Sequence, residues 1–254
     1  MPQTLSLTAL PGLPLIEPGD DLPALIIEGL GRAGVELLDG DVIVVAQKVV
    51  SKQEGRLVDL TTVAPSPEAQ ALAEEVDKDP RVVELVLRES RKVLRTRPGL
   101  LVVEHRLGFV CANAGIDRSN LQGGDKQKVL LLPEDPDASA QRLREALNDR
   151  YDADVGVLIV DSHGRAWRIG TVGVAIGVAY FPAVIDKRGD PDLFGRTLKN
   201  TEVGLADEVG AAASVLMGQA DEGLPVVHVR GLPYPLRESR LDEILRPEEQ
   251  DLFR

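Results

Sequence analysis

Apolar and polar residues along this chain change their spacing repeatedly, and each change predicts an element. After a turn-rich start, LTALPGLPLIEPGDD, the segment DDLPALIIEGL sets apolar residues three and four apart behind Asp20 and Asp21, which predicts a capped helix from Leu22. VIVVA at 42–46 is short, continuous and β-branched, so it predicts a buried strand, entered through the turn Asp39-Gly40-Asp41 and left through the polar QKVVSKQEG. SPEAQALAEEV and PRVVELVLRESRKVL each begin at a capping residue or proline and repeat apolar positions every three or four residues, predicting two consecutive helices. GLLVVEHRLGFVCANAG holds two β-rich runs that meet at Leu107-Gly108, a hairpin pattern. NAGIDRSN, just past it, reads as an exposed strand end or loop, and the LQGGDKQK that follows has no periodicity.

The second half continues in the same manner. DPDASAQRLREALNDRY predicts a capped amphipathic helix and DVGVLIVDS a strand ending in Asp161-Ser162. WRIGTVGVAIGVAYF predicts a strand in which Gly170, Gly173 and Gly177 mark close backbone approaches. TEVGLADEVGAAASVLMG reads as an Ala-rich helix, LPVVHVRGL as a late strand, and the charged tail LRESRLDEILRPEEQDLFR as a peripheral helix. No repeat of fixed period occurs. Helices and strands mixed in this order predict an α/β chain of the mixed α+β kind.

Composition narrows the picture. A chain of 254 residues can bury one large core or two small ones, and a single functional unit over 1–254 is expected. With 43% hydrophobic but only 3% aromatic residues, that core must be built from Val, Leu, Ile and Ala. No apolar run approaches the roughly 20 residues of a membrane span, and the N-terminus lacks the pattern of a signal peptide. Both features predict a cytoplasmic protein. Cys111 is the one cysteine; it allows no intrachain disulfide or cysteine-rich zinc site and reads as a small buried residue. The formal net charge of −12 argues against a nucleic-acid partner. An acidic protein that binds anions must present clustered Lys and Arg, oriented N–H groups or bound cations.

Several motifs bear on that requirement. GLGRAG places Gly29, Gly31 and Gly34 in a G-x-G-x-x-G pattern, but it ends a helix and precedes a strand, the reverse of a dinucleotide fingerprint. No P-loop sequence is present. Asp117 in GIDRSN and Asp161 in VDSHGR both sit at strand ends beside hydroxyl or amide groups. With Asn120 and Ser162 they could bind Mg²⁺ or Mn²⁺, which take hard oxygen ligands; each acid could equally close an Asx-turn. Lys48, Lys52, Arg165 and Arg168 could hold anions or be solvated surface groups. His105 and His228 read as packing or capping groups in strands, whereas His163, beside Asp161, could contact a ligand. No histidine spacing suggests zinc.

GLPLI, DGDVIVVAQKVVSKQEG, NAGIDRSN, DSHGRAWRIGTVGVAIGVA, TEVGLADEV and LMGQADEGLPVVHVRGL occur together and in this order. In these blocks, which span nearly the whole chain, the sequence resembles the coenzyme F420-0:L-glutamate ligase (CofE) family. The resemblance implies a CofE-like fold of mixed sheets with flanking helices, which can divide into two intertwined subdomains, without a P-loop or a Rossmann fingerprint; some actinobacterial members of the family add a C-terminal nitroreductase-like domain, and none is expected in 254 residues. It implies γ-linked addition of L-glutamate to coenzyme F420-0, with GTP converted to GDP and phosphate, by a homodimer that needs Mg²⁺ or Mn²⁺, two ions in all, with K⁺ as a further candidate. In its terms Asp117 and Asp161 are metal ligands, Ser162 and Gln219 serve a second metal, and Asn120 contacts the nucleotide. Leu13, Pro14, Leu15, Ile16, Gln47, Lys48 and Lys52 line the GTP site, together with Met217, Gly218, Gln219, Ala220, Asp221, Glu222, Gly223 and Leu224. Lys52, Arg165 and Arg168 are the expected catalytic charges, offsetting repulsion between two anionic reactants. Two other functions fit the same motifs: glutamylation of a pterin- or folate-like acceptor, and noncatalytic nucleotide binding.

Overall fold

The computed structural model describes residues 3–120 and 127–252, so most of the non-periodic stretch after Asn120 lies outside the described residues. VIVVA forms strand β2 (Val42–Ala46), whose first four residues are fully buried. They are buried because β2 lies mid-sheet in the order β1 (Ser6–Ala9), β12 (Val226–Arg230), β2, β8 (Gly156–Gly164), β9 (Thr171–Ala179). β2 and β8 run parallel, and every other pairing in this sheet is antiparallel. Alternating side chains feed two cores. Ile43, Val45, Val157 and Ile159 pack with α1 (Leu22–Ala33) and α5 (Pro136–Tyr151). Val42, Val44, Leu158 and Val160 pack with α6 (Leu205–Met217) on the opposite face. The mixed α/β class expected from the sequence is the one observed.

The segment between β2 and β8 builds a second region on the first core. It contains α2 (Gln47–Gln53), β3 (Leu57–Asp59), α3 (Pro67–Val76), α4 (Pro80–Arg88), β4 (Ser90–Arg97), β5 (Leu100–His105), β6 (Val110–Ala112) and β7 (Lys128–Leu130). β4, β5 and β6 form one antiparallel sheet and β3 pairs with β7. A short hairpin, β10 (Ile185–Asp186) and β11 (Glu202–Val203), precedes α6. Among the described residues no helix is long and apolar enough to cross a membrane.

GLGRAG ends α1 as predicted: Gly34 adopts φ 66° and its N–H donates to the Gly31 carbonyl, a left-handed cap. Four expectations need correction. The helix predicted through RESRKVL stops at Arg88, because the Ser90 hydroxyl donates to the Val86 carbonyl and the chain turns into β4, an edge strand rich in Arg and Lys. Among its described residues the tail forms two 3₁₀ turns, Leu241–Ile244 and Glu248–Gln250, in place of a helix, and Leu241 is the one residue of those turns that is buried. β8 runs past Asp161-Ser162 to Gly164, held by β9 after β2 has ended opposite Val160. Gly170 meets no close neighbour; its φ of 87° serves the turn instead.

Gly173 and Gly177 do mark close approaches, on opposite faces of β9. A Cβ on Gly173 would lie 2.6 Å from the Gly210 carbonyl oxygen of α6, and one on Gly177 would lie 2.6 Å from that of Pro136 in α5. Residues four apart in a regular strand share a face. Here the pairing jumps from Ile159–Gly177 to Val160–Ala175, so β9 carries an extra residue between them and the face inverts.

Candidate active site

Two adjacent residues at the start of α2 join segments far apart in sequence. β2 ends at Ala46, and α2 begins at once with Gln47 and Lys48. Gln47 is buried, and the hydroxyl of Ser51, one turn on, donates to its Oε1 at 2.8 Å. This turns its amide nitrogen toward Asp161, whose Oδ1 accepts at 3.4 Å. Lys48 meets a different acid: its ammonium lies 2.7 Å from Asp117 Oδ2 and donates to Ser119 Oγ, also at 2.7 Å. Gln47 and Lys48 thus touch the two candidate metal-binding acids, one each.

NAGIDRSN supplies Asp117 from a tightly constrained turn. Asn113, Ala114 and Gly115 all have positive φ, at 50°, 53° and 66°. Ala114 is buried there, an unfavourable backbone state for a residue with a Cβ. The Asn113 side chain accepts from the Leu101 N–H and helps to hold the turn. Asp117 and Leu130 then exchange backbone hydrogen bonds, and the Ser119 N–H donates to Asp117 Oδ1 at 2.6 Å. Asp117 therefore does close an Asx-turn, while its other oxygen faces Lys48. Burial pushes its carboxyl group up, but Lys48 and the Ser119 donors outweigh burial and hold it below the usual carboxylate range.

The neighbouring groups extend the patch. Lys52 donates to the Asn120 carbonyl at 2.9 Å, and burial, then the nearby Lys48, lowers its pKa. The Asn120 amide in turn donates to the Ala220 carbonyl at 2.9 Å. Ser162 Oγ donates to Gln219 Oε1 at 2.8 Å, tying the β8 arm to the loop after α6. In that loop Gly218 caps the helix, and Glu222 accepts from the Ala220 N–H. Met217 packs on the second core, Gln219, Ala220, Asp221, Glu222 and Gly223 are exposed, and Leu224 is half-buried.

A sequence model described as F420-0:Gamma-glutamyl ligase matches residues 12–231. The chain belongs to this family. It is 47% identical over 252 residues to the coenzyme F420:L-glutamate ligase of Methanothermobacter thermautotrophicus, covering 98% of this chain and 99% of that protein. The ligase of Methanopyrus kandleri is also 47% identical, over 255 residues and 99% and 98% of the two chains. That of Methanocaldococcus jannaschii is 42% identical over 242 residues, 95% and 94% of the two.

Not every position expected from the ligase family joins this patch. Arg165 and Arg168 are exposed at the tip of the β8–β9 arm, where Arg165 donates to the Gly170 carbonyl across the turn. Leu13 packs beside Gly29 of α1 and Ile16 enters the first core, leaving Pro14 and Leu15 exposed between them. Among the described residues no three His, Cys, Asp or Glu side chains form a metal-ligating group. Sequence reasoning passed over Ser51 and Ser119, although i,i+4 spacing on a helix and the Asx-turn pattern were signals for both. His163 is half-buried, with its buried Nε2 2.9 Å from Asp161 Oδ2 but not aligned for a hydrogen bond, and its ring meets Phe109. It therefore neighbours a candidate ligand. His105 stacks on Phe109, and His228 lies 3.0 Å from Asp41, so both pack within the fold as expected.

Proposed function

We propose that this protein adds L-glutamate through γ-linkages to coenzyme F420-0, driven by conversion of GTP to GDP and phosphate, as a cytoplasmic homodimer. The observation that carries the reading is the meeting of Gln47-Lys48 with Asp161 and Asp117, in a chain whose family membership spans residues 12–231. A carboxylate is a poor electrophile. An acceptor carboxylate oxygen attacks the γ-phosphorus of GTP, the bond to the β-phosphate oxygen breaks, and an acyl phosphate and GDP result. The glutamate amine, losing a proton, then attacks the acyl carbon and expels phosphate.

Asp117, Asp161, Ser162 and Gln219 fit a hard divalent cation by the chemistry of their oxygens, and the Ser162–Gln219 hydrogen bond brings two of those oxygens together. When bound, Mg²⁺ or Mn²⁺ neutralises phosphate charge and orients the transferring group. Lys48 and Lys52 contribute point charges from one face of α2. Asn120 and the 217–224 loop, joined by the Asn120–Ala220 hydrogen bond, form the nucleotide wall opposite α2. Arg165 and Arg168 act on the anionic reactants only if the β8–β9 arm reaches them, which a homodimer can arrange.

Incubation with GTP, Mn²⁺, L-glutamate and a panel of acceptors, followed by mass spectrometry, tests the reading. The expected result is glutamyl mass increments on F420-0 with equimolar GDP. Product only on a pterin- or folate-like acceptor would make the protein a different glutamate ligase. Nucleotide binding without product on any acceptor would make it a binding protein. Initial rates at equal subsaturating GTP and ATP should favour GTP; an equal or faster rate with ATP refutes that preference.

A further inference from the structure

Lys48 and Lys52 stand four residues apart on α2 and address the same loop, but they do different things there. Lys52 donates to a backbone carbonyl, that of Asn120. Lys48 contacts a carboxylate oxygen, Asp117 Oδ2 at 2.7 Å, and also reaches Ser119 Oγ and the Ser119 carbonyl. The second carboxylate oxygen, Oδ1, is taken by the Ser119 N–H. Both oxygens of Asp117 are therefore engaged by the protein itself, and Oδ2, which also accepts from Ser119 Oγ at 3.2 Å, is covered by a positive charge. The pair is only about one-quarter exposed, at 24% for Lys48 and 27% for Asp117, so water screens it incompletely.

A divalent cation on Asp117 Oδ2 would stand beside the Lys48 ammonium, and two cations at that distance repel. An ammonium on a flexible stem can, however, turn from a carboxylate to a phosphate. We propose that Lys48 is the exchangeable counter-ion of Asp117: it closes this oxygen while the nucleotide site is empty and moves to a nucleotide phosphate when one arrives, opening Asp117 to the cation. The inference rests on the reading of Asp117 as a metal ligand. It adds that cation and nucleotide binding are coupled through one side chain, and linkage makes this coupling reciprocal. Releasing Lys48 from Asp117 must favour phosphate binding, just as removing Lys48 must favour the cation.

The test uses the full chain and two ligands separately. Nucleotide-free Mn²⁺ binding is followed by the paramagnetic resonance of the free ion in wild type, K48M, K48Q, K52M, D117N and the K48M/D117N double variant. K48M is expected to bind Mn²⁺ about tenfold more tightly than wild type, with K48Q as the replacement if K48M fails to fold. K52M removes the same charge from the same helix face and is expected to change affinity by no more than about threefold. The gain of K48M should vanish in K48M/D117N, because the two side chains act as a pair. In the second arm, GDP binding is measured with chelator present; D117N should bind GDP more tightly than wild type, and K48M/D117N should not. Unchanged or weaker Mn²⁺ binding by K48M, an equal gain in K52M, or a gain that persists without Asp117 overturns the exchange. So does a D117N variant with unchanged GDP affinity. If D117N binds Mn²⁺ as well as wild type, the cation site itself is wrong and the exchange falls with it; if D117N weakens Mn²⁺ while K48M does nothing, the exchange alone fails.

Discussion

Asp117 and Asp161 reach one patch from unlike settings. Asp117 belongs to an Asx-turn behind three left-handed residues, whereas Asp161 lies in a strand, between Gln47 on α2 and His163 on its own strand. Replacing either by Asn keeps the size and removes the charge. With Asp117→Asn or Asp161→Asn, Mn²⁺-dependent GDP release is expected to fall by about 100-fold or more, while the melting temperature drops by only about 2–4 °C. Asp77→Asn is the control, since Asp77 holds a left-handed cap at φ 51° that Asn also tolerates, and it should alter neither quantity. Near-normal metal dependence in both site variants would remove Asp117 and Asp161 from the site. The identities of these acids were legible in the sequence because their motifs are local. The partner of each was not, since Gln47 and Asp161 are 114 residues apart and meet only through the β2–β8 register.

At the scale of elements, the two glycines of β9 set how closely helices approach the sheet. An added methyl at Gly173 or Gly177 would run into backbone oxygen, which cannot swing aside. Gly173→Ala and Gly177→Ala are each expected to lower stability in urea denaturation by about 3 kcal/mol, at the upper end for overpacking. Gly170→Ala meets open space and carries only the strain of its positive φ, so about 1 kcal/mol is expected. Equal losses at all three positions would contradict the close-approach argument. Gly173 and Gly177 could be flagged from sequence as small residues among β-branched ones. Their opposite faces could not, because the bulge between them is a property of pairing with β8. RESRKVL failed for a related reason: its apolar spacing suits a helix, but β5 offers an edge to pair with.

Across the whole molecule, buried charges give stability two acid-sensitive windows. Burial pushes the wholly buried His105 down to about 4, against an ordinary 6.5. The unfolded chain therefore takes up a proton first as pH falls, and stability is lost between those values, by about 3 kcal/mol. Asp41 works lower. Burial raises its carboxyl, but the Arg230 guanidinium, His228 and the Leu38 N–H outweigh burial and hold it at about 2. Its contribution is present above the unfolded value of 3.8 and is lost as pH falls through 2. Urea titrations from pH 7 to 4 should show His105→Gln with a shallower decline than wild type; an identical slope rules His105 out as its source. Assembly is the other property of this scale. Two hairpin tips carry Trp167 and Ile169 at 87% and 101% exposure and Leu193 and Phe194 at 99% and 94%, and a second copy is the proposed cover. Sedimentation at micromolar concentration should give a dimer, and Trp167→Asp should shift it toward monomer; a fully active wild-type monomer refutes the assembly.

The sequence by itself determined the strand and helix runs of the central layers, the failure of GLGRAG as a nucleotide fingerprint, and the family whose motifs the chain carries. Each of these is written in residues close together, where periodicity, capping and side-chain chemistry act directly. Only the tertiary structure decided where β4 begins, which way Gly173 and Gly177 face, and that Gln47 and Lys48 divide Asp161 and Asp117 between them. Those outcomes depend on strand register and on contacts across more than a hundred residues in the case of Gln47 and Asp161. Local pattern carries no record of such distances, because chain folding, and not spacing along the sequence, sets which side chains meet.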